Sequence, residues 1–263
     1  MFVLIESTDK IYKNTFALID MDIISKQTKS ENMLALQHDY KYNRSYRLWI
    51  YSEIKSYFGR NILEIGSGIG SYIEIFLDDG YKKVVASDIF PDYLRYIRKK
   101  YLSKGVETMV VDLESAASIA SIRKKGVDTI VAINVMEHIK NDKDAFKSLN
   151  RALPKGGRLI VLVPAHMALY SDFDRKIGHF RRYTKDNLSK KLRSAGFSLE
   201  NTIYFNSLGA LGWWGRLKIM HSKNIGEGDS RIFNILIPFV RFIDKFILRK
   251  RIGISVIAVA KKI

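Results

Sequence analysis

From residue 61 onward the chain alternates short, solidly apolar runs with longer stretches whose apolar residues recur at helical spacing. The runs NILEIG (61–66), KKVVASD (82–88), VETMVVDL (106–113), DTIVAINV (128–135), RLIVLVP (158–164), FSLENTIYF (197–205) and GISVIAVAKK (253–262) predict strands. Between them, SYIEIFLDDG (71–80), PDYLRYIRKKYLSKG (91–105), SAASIASIRKKG (115–126), NDKDAFKSLNRAL (141–153) and KDNLSKKLRSAG (185–196) predict helices. Local signals agree with these limits. Gly80 is placed to end a helix in a left-handed turn, and Pro91 sits where a first helical turn tolerates it. Asn141 or Asp142, and later Thr184, are placed as N-caps. Runs such as IVAINV and LIVLV lack alternation, as strands buried on both faces should. The order strand, helix, strand therefore predicts an α/β fold, doubly wound, with a parallel sheet between two helical layers. Residues 1–60 fall outside the alternation as a partly helical, aromatic N-terminal extension. Residues 61–206 form the core, 207–252 an insertion, and 253–263 the last core strand.

Composition adds a constraint on partners. The 263 residues are 47% hydrophobic, enough for one large core, and carry a formal charge of +17 with a pI near 9.8. Such a field favours anionic partners: phosphates, nucleic acid or an acidic lipid surface. There are no cysteines, which excludes disulfides, thiolate metal ligands and a cysteine nucleophile. The N-terminus has acids where a signal peptide needs a basic flank. The most apolar stretch, IFNILIPFVRFIDKFIL (232–248), is broken by Asn234, Pro238, Arg241, Asp244 and Lys245. The expectation is a cytoplasmic protein, at most peripheral to a membrane.

The candidate chemistry begins at the first strand. Gly66, Gly68 and Gly70 follow it, where a parallel sheet binds ligands beyond its carboxyl edge. Bare backbone there lets a ligand approach, and the next helix offers free N–H groups. The spacing is E-x-G-x-G-x-G from Glu64; a dinucleotide pattern would need glycine where Ser71 stands. Asp88 stands 22 residues after Gly66, at the end of the second strand, where a carboxylate can accept ribose hydroxyls. Asp112 ends the third strand and could meet an adenine amino group.

Taken together, LEIGSGIG, ASDIF, VVDLES and INVMEHI resemble the successive cofactor motifs of class I S-adenosylmethionine-dependent methyltransferases. The resemblance covers residues 40–263. It sharpens toward a subgroup found beside family 2 glycosyltransferases in cell-envelope biosynthesis, through YNRSYRLWI, LVPAHMALYSDFDRKIGHFRRYTKDNL, YFNSLGALGWWGRLK and GISVIAVAKK. It implies a seven-stranded sheet in the order 3-2-1-4-5-7-6 with the last strand antiparallel, and S-adenosylmethionine as cofactor. Glu64, Gly66, Ser67, Gly68 and Gly70 would shape the pocket for its methionine end. Asp88 would bind the ribose, Ile89 would flank the adenine, and Asp112 with Leu113 would sit at its edge. Asn134 would line the cofactor near the sulfonium, while Tyr42 and Arg47 would close over the methionine tail.

Methyl transfer to oxygen or nitrogen is helped by positioning and by a base. Glu137, His138 and His179 are the candidate catalytic groups. His166, Arg181, Arg182 and Tyr183 are the candidate acceptor-binding groups, paired arginines being suited to phosphate or carboxylate. No H-x-x-x-H pair or acidic cluster appears, so no metal site is expected. No Asn-Pro-Pro-aromatic motif stands at NVME, which leans toward a small or lipid-linked acceptor. Trp213, Trp214 and Lys218, with the apolar-basic run after them, read as a lid, a contact with an anionic membrane, or both. RNA methylation and a non-catalytic scaffold for a glycosyltransferase are the alternatives.

Overall fold

The computed structural model describes residues 36, 40, 41, 43–215, 236–248 and 250–263, with side chains through residue 212 in the segment 43–215. Helix α1 (Arg44–Ile54) precedes the sheet. The alternation then runs β1 (Asn61–Ile65), α2 (Ser71–Asp78), β2 (Lys83–Asp88), α3 (Pro91–Lys100), β3 (Glu107–Val110), α4 (Ala116–Lys124) and β4 (Thr129–Ile133). It continues with α5 (Asp142–Ala152), β5 (Arg158–Pro164), the short α6 (Asp172–Lys176), α7 (Lys185–Ser194), β6 (Phe197–Phe205), α8 (Ser207–Gly215) and β7 (Ser255–Lys262). Residues 236–242 are helical and pass into a π-helical turn at Ile243–Ile247.

The seven strands form one sheet in the order β3-β2-β1-β4-β5-β7-β6. All pairings are parallel except those of β7, which runs antiparallel to both β5 and β6. Alternate strand residues enter two separate cores. Leu63, Val85, Ile130, Leu159 and Val161 pack on one side with α4, α5 and α7. Ile62, Val84, Val131, Ile160 and Ile257 pack on the other with α1, α2, α3, Ile237 and Val240. Two covered faces are why these strands are apolar without alternation.

The helix ends are set by the expected residues. Gly80 adopts φ 91°, Pro91 occupies the first turn of α3, and the Thr184 hydroxyl accepts from Asn187 N at 3.2 Å. Asn141, rather than Asp142, is the cap of α5. Strand β3 is shorter than the run VETMVVDL: it ends at Val110, and Asp112 enters a turn in which its Oδ1 accepts from Glu114 N at 2.9 Å. β3 is an edge strand with β2 as its single neighbour, so little holds its last residues in the ladder.

The insertion leaves and re-enters at the carboxyl edge of the parallel strands, because Ser255 pairs with both Pro164, the last residue of β5, and Phe205. Asp244 ties it down there. This buried carboxylate accepts from Ser207 N at 3.0 Å and from the Ser207 hydroxyl. No helix among the described residues is long and apolar enough to cross a membrane.

At Gly253 a methyl group would lie 2.3 Å from the Phe205 carbonyl oxygen and 2.5 Å from its nitrogen, both backbone atoms that cannot swing away. Gly253→Ala is expected to cost about 3 kcal/mol, the upper range for overpacking a fixed site. Gly212→Ala, with nothing among the described residues within 4 Å, is expected to gain about 0.5 to 1 kcal/mol from helix propensity. Urea denaturation of both variants measures the contrast.

Candidate active site

Strand order reverses between β1 and β4, and the loops following those strands flank the crevice there. After β1, Gly66, Gly68 and Gly70 all have positive φ (72°, 52° and 84°). A methyl at Gly66 would meet the Val135 side chain at 2.6 Å, so the turn needs glycine for close approach as well as for conformation. Gly70 opens α2 in the left-handed region. Ser67 is buried and pins the turn, its Oγ accepting from Ser87 N at 3.1 Å.

Two acids border this turn. Asp88 accepts from Gly68 N at 2.9 Å through one oxygen and from Phe90 N at 3.0 Å through the other. It is buried, which raises its pKa against the pull of these N–H groups. A carboxylate offers about four lone-pair sites, so each oxygen retains room for a further hydroxyl. Glu64 is buried at the end of β1, and its Oε2 has no hydrogen-bond partner among the described residues. Burial pushes its pKa up to about 8. An acid kept at a ligand edge without a partner fits a site completed by a cationic group, such as the amine of an amino-acid moiety.

The other predicted cofactor residues lie around the same edge. Ile89 is 38% exposed beyond β2, Leu113 is buried, and Asn134 is exposed after β4 with φ 54°. Arg47 is buried in α1, and its guanidinium donates to the Tyr40 carbonyl at 2.5 Å. Tyr42 and Lys218 lie outside the described residues, as do the side chains of Trp213 and Trp214.

Beyond β4 and β5 the loop 165–183 folds back over Met136–Lys140. Phe180 N donates to the Glu137 carbonyl at 2.9 Å, and residues 165 and 183 form a bridge. Its centre is Asp174, whose side chain is wholly buried. Arg182 donates to it from Nε at 2.8 Å and from Nη2 at 3.0 Å, and His179 Nδ1 lies 2.9 Å from Oδ1. Burial would raise the Asp174 pKa; the bonds from His179 and Arg182 outweigh it and hold it down at about 2.

The groups expected to bind the acceptor have partners within this network. Arg182 is buried against Asp174, and the Tyr183 hydroxyl donates to Asp142 at 2.7 Å from inside the core. Arg181 binds Asp142 at 2.9 Å and the Lys140 carbonyl at 2.7 Å. All three hold the loop in place, because buried acids claim the nearest cations. His166 stacks on Tyr204 with ring centroids 4.7 Å apart. Asp174 and Asp142 were not among the expected site residues. The signal for Asp174 was present as a capping box, Ser171 to Asp174, in SDFD.

The candidate catalytic groups do converge. The rings of His138 and His179 lie 4.6 Å apart, and His179 Nε2 is 3.7 Å from Glu137 Oε1. Glu137 is fully buried with neither side-chain oxygen hydrogen-bonded among the described residues, and burial pushes its pKa up to about 8. Burial, reinforced by His179, pushes His138 down to about 4, so its imidazole is neutral at pH 7. One ligand-type atom from each of the three lies within 4.8 Å of the others. Sequence spacing showed no such cluster, because the fold joins positions 41 residues apart.

The chain is similar to known proteins in ways that fit this geometry. Residues 38–202 match the family model described as a methyltransferase domain. A probable S-adenosylmethionine-dependent methyltransferase of Mycolicibacterium smegmatis is 24% identical over 175 residues, 66% of this chain and 60% of that protein. A hybrid PKS-NRPS synthetase, apdA, of Emericella nidulans is 28% identical over 107 residues, 39% of this chain and 3% of that one. The chain thus spans less than two thirds of the length of these relatives. A SAM-dependent methyltransferase from Archaeoglobus fulgidus has the same fold, with a TM-score of 0.56 at 15% identity, over 87% of this chain and 99% of that one.

Glu64 makes stability depend on pH. Its folded pKa of about 8 exceeds its unfolded value of 4.5, so between those values the folded state holds a proton that the unfolded chain has lost. Its contribution therefore falls as pH rises through that window. Without cofactor, Glu64→Gln is expected to match the parent near pH 4 and to melt progressively higher than it toward pH 8. Thermal melts across that range check the sign.

Proposed function

This chain belongs to the methyltransferase-domain family and uses S-adenosylmethionine, and from that premise we propose that it methylates an oxygen or nitrogen of a small, anionic or lipid-linked saccharide-type acceptor. In this reading Glu64 and the turn Gly66–Gly70 take the amino-acid end of the cofactor, Asp88 its ribose hydroxyls, and Ile89, Asp112 and Leu113 the adenine. When bound, the cofactor supplies an electrophilic methyl group on a sulfonium. Asn134 faces that end from β4. The acceptor lies against the Glu137, His138 and His179 cluster, where its proton is handled; Asp174 orients His179 and Arg182 anchors Asp174.

The observation that carries the acceptor class is the segment after α8. It enters and leaves at the ligand edge of the sheet, and Leu236, Phe239, Phe242, Phe246 and Ile247 are exposed along it, between Arg241, Lys245 and Arg251. Exposed apolar residues interleaved with basic ones suit an anionic bilayer surface, beside which a lipid-linked acceptor would be presented. The likeness of GHFRRYTKDNL and GWWGRLK to the glycosyltransferase-associated subgroup supports the same reading.

Radiolabelled S-adenosylmethionine is supplied to the protein with fractionated host lysate, and lipid, saccharide, RNA and protein pools are counted. Label is expected in the lipid or saccharide pool. Asp88→Asn is expected to weaken cofactor binding about tenfold to hundredfold, the loss of charge-assisted hydrogen bonds, and to reduce label accordingly. Label confined to RNA would overturn the acceptor class and make the +17 charge a nucleic-acid footprint.

A further inference from the structure

Glu137 presents a chemical problem that the methyltransferase reading leaves open. Its side chain is wholly enclosed, yet neither carboxylate oxygen has a hydrogen-bond partner among the described residues, and the buried Nδ1 of His138 beside it makes no full hydrogen bond there, the Gly178 backbone being a polar neighbour. Buried polar atoms are nearly always paired, since leaving one unpaired costs free energy. Here two such side chains face a third, His179, at ligand distances from one another.

His179 is already oriented as a metal-binding histidine would be. Asp174 engages Nδ1 at 2.9 Å, which places the N–H there and leaves the Nε2 lone pair facing Glu137. A carboxylate holding the far nitrogen of a histidine is the usual support of a metal-ligating imidazole. Asp174 is in turn held by the bidentate Arg182, so the ring is braced through two further residues. In a tetrahedral shell with metal–ligand bonds of about 2.0 to 2.1 Å, ligand atoms stand about 3.4 Å apart. The 3.7 Å between His179 Nε2 and Glu137 Oε1 is close to that spacing, and the other separations, up to 4.8 Å, close by side-chain rotation.

We propose that Glu137, His138 and His179 bind a divalent first-row transition ion, zinc being the best match to two imidazoles and one carboxylate. Three protein ligands leave a coordination position open, as in catalytic rather than structural zinc sites. An acceptor hydroxyl or phosphate oxygen takes that position, and a bound hydroxyl becomes acidic enough to release its proton to water. That role rests on the methyltransferase reading; occupancy of the site by an ion does not.

The test uses the full chain without a tag, stripped with chelator. Zinc is titrated by calorimetry and cobalt(II) by its visible absorption. One ion per chain is expected, with a cobalt spectrum of low-coordinate nitrogen and oxygen ligation. Glu137→Gln and His179→Ala are each expected to lower zinc affinity about hundredfold or more, while His166→Ala leaves it unchanged. Glu137→Gln keeps the shape of the side chain, and a cooperative thermal transition in each variant shows that it is folded. The proposal is overturned if the parent binds no ion, or if a folded Glu137→Gln binds zinc as the parent does. Loss of methyl transfer with zinc binding intact would instead count against the acceptor reading.

Discussion

The bidentate bond between Arg182 and Asp174 is the contact on which the acceptor side of this molecule depends. An uncompensated carboxylate at the depth of Asp174 would be strongly disfavoured, and a guanidinium fork is the side chain best shaped to offset that burial. Because Asp174 stands midway along the loop 165–183 and Arg182 near its end, their pairing closes the second half of that loop. Everything exposed by that closure, His179 above all, takes its orientation from the pair. Removing one partner would leave the other as a buried, unpaired charge, so the loop has little freedom to adopt a second arrangement.

Asp174, Asp88, Glu64 and Glu137 are all buried toward the carboxyl edge of the sheet, and the fold treats them differently. Asp174 receives a cation and an imidazole, and Asp88 receives backbone N–H groups. Glu64 keeps one oxygen without a partner, and Glu137 keeps both. The first two are structural solutions to desolvation; the second two leave the solution to something that binds.

The sheet was largely legible because its signals are local. Residues 158–164 and 197–205 read as strands and are strands: β5 lies between β4 and β7, and β6, at the sheet edge, pairs with β7 along its length. The three glycines, Asp88 and Asp112 lie at successive strand ends, and a parallel α/β pattern by itself brings strand ends together. For Arg181, Arg182 and Tyr183 the sequence shows a donor without showing what it is next to. Their partners, Asp142 and Asp174, arrive through loop closure, and in a chain so rich in lysine and arginine the scarce acids decide which cations are taken up. The meeting of His138 with His179 was hidden for the same reason: it depends on how a loop folds back.

Ser255 pairs across the sheet with Pro164 on one side and Phe205 on the other, and Gly253 packs its backbone onto that of Phe205. The two ends of the stretch between β6 and β7 are therefore held together by main-chain contacts. Lengthening that stretch outside the buried Ile237, Val240 and Asp244 adds only a loop-closure entropy that grows with the logarithm of its length. Its exposed positions are thus free to drift while the sheet stays unaltered. One scaffold can in this way be re-addressed to new substrates by exchanging a single surface segment.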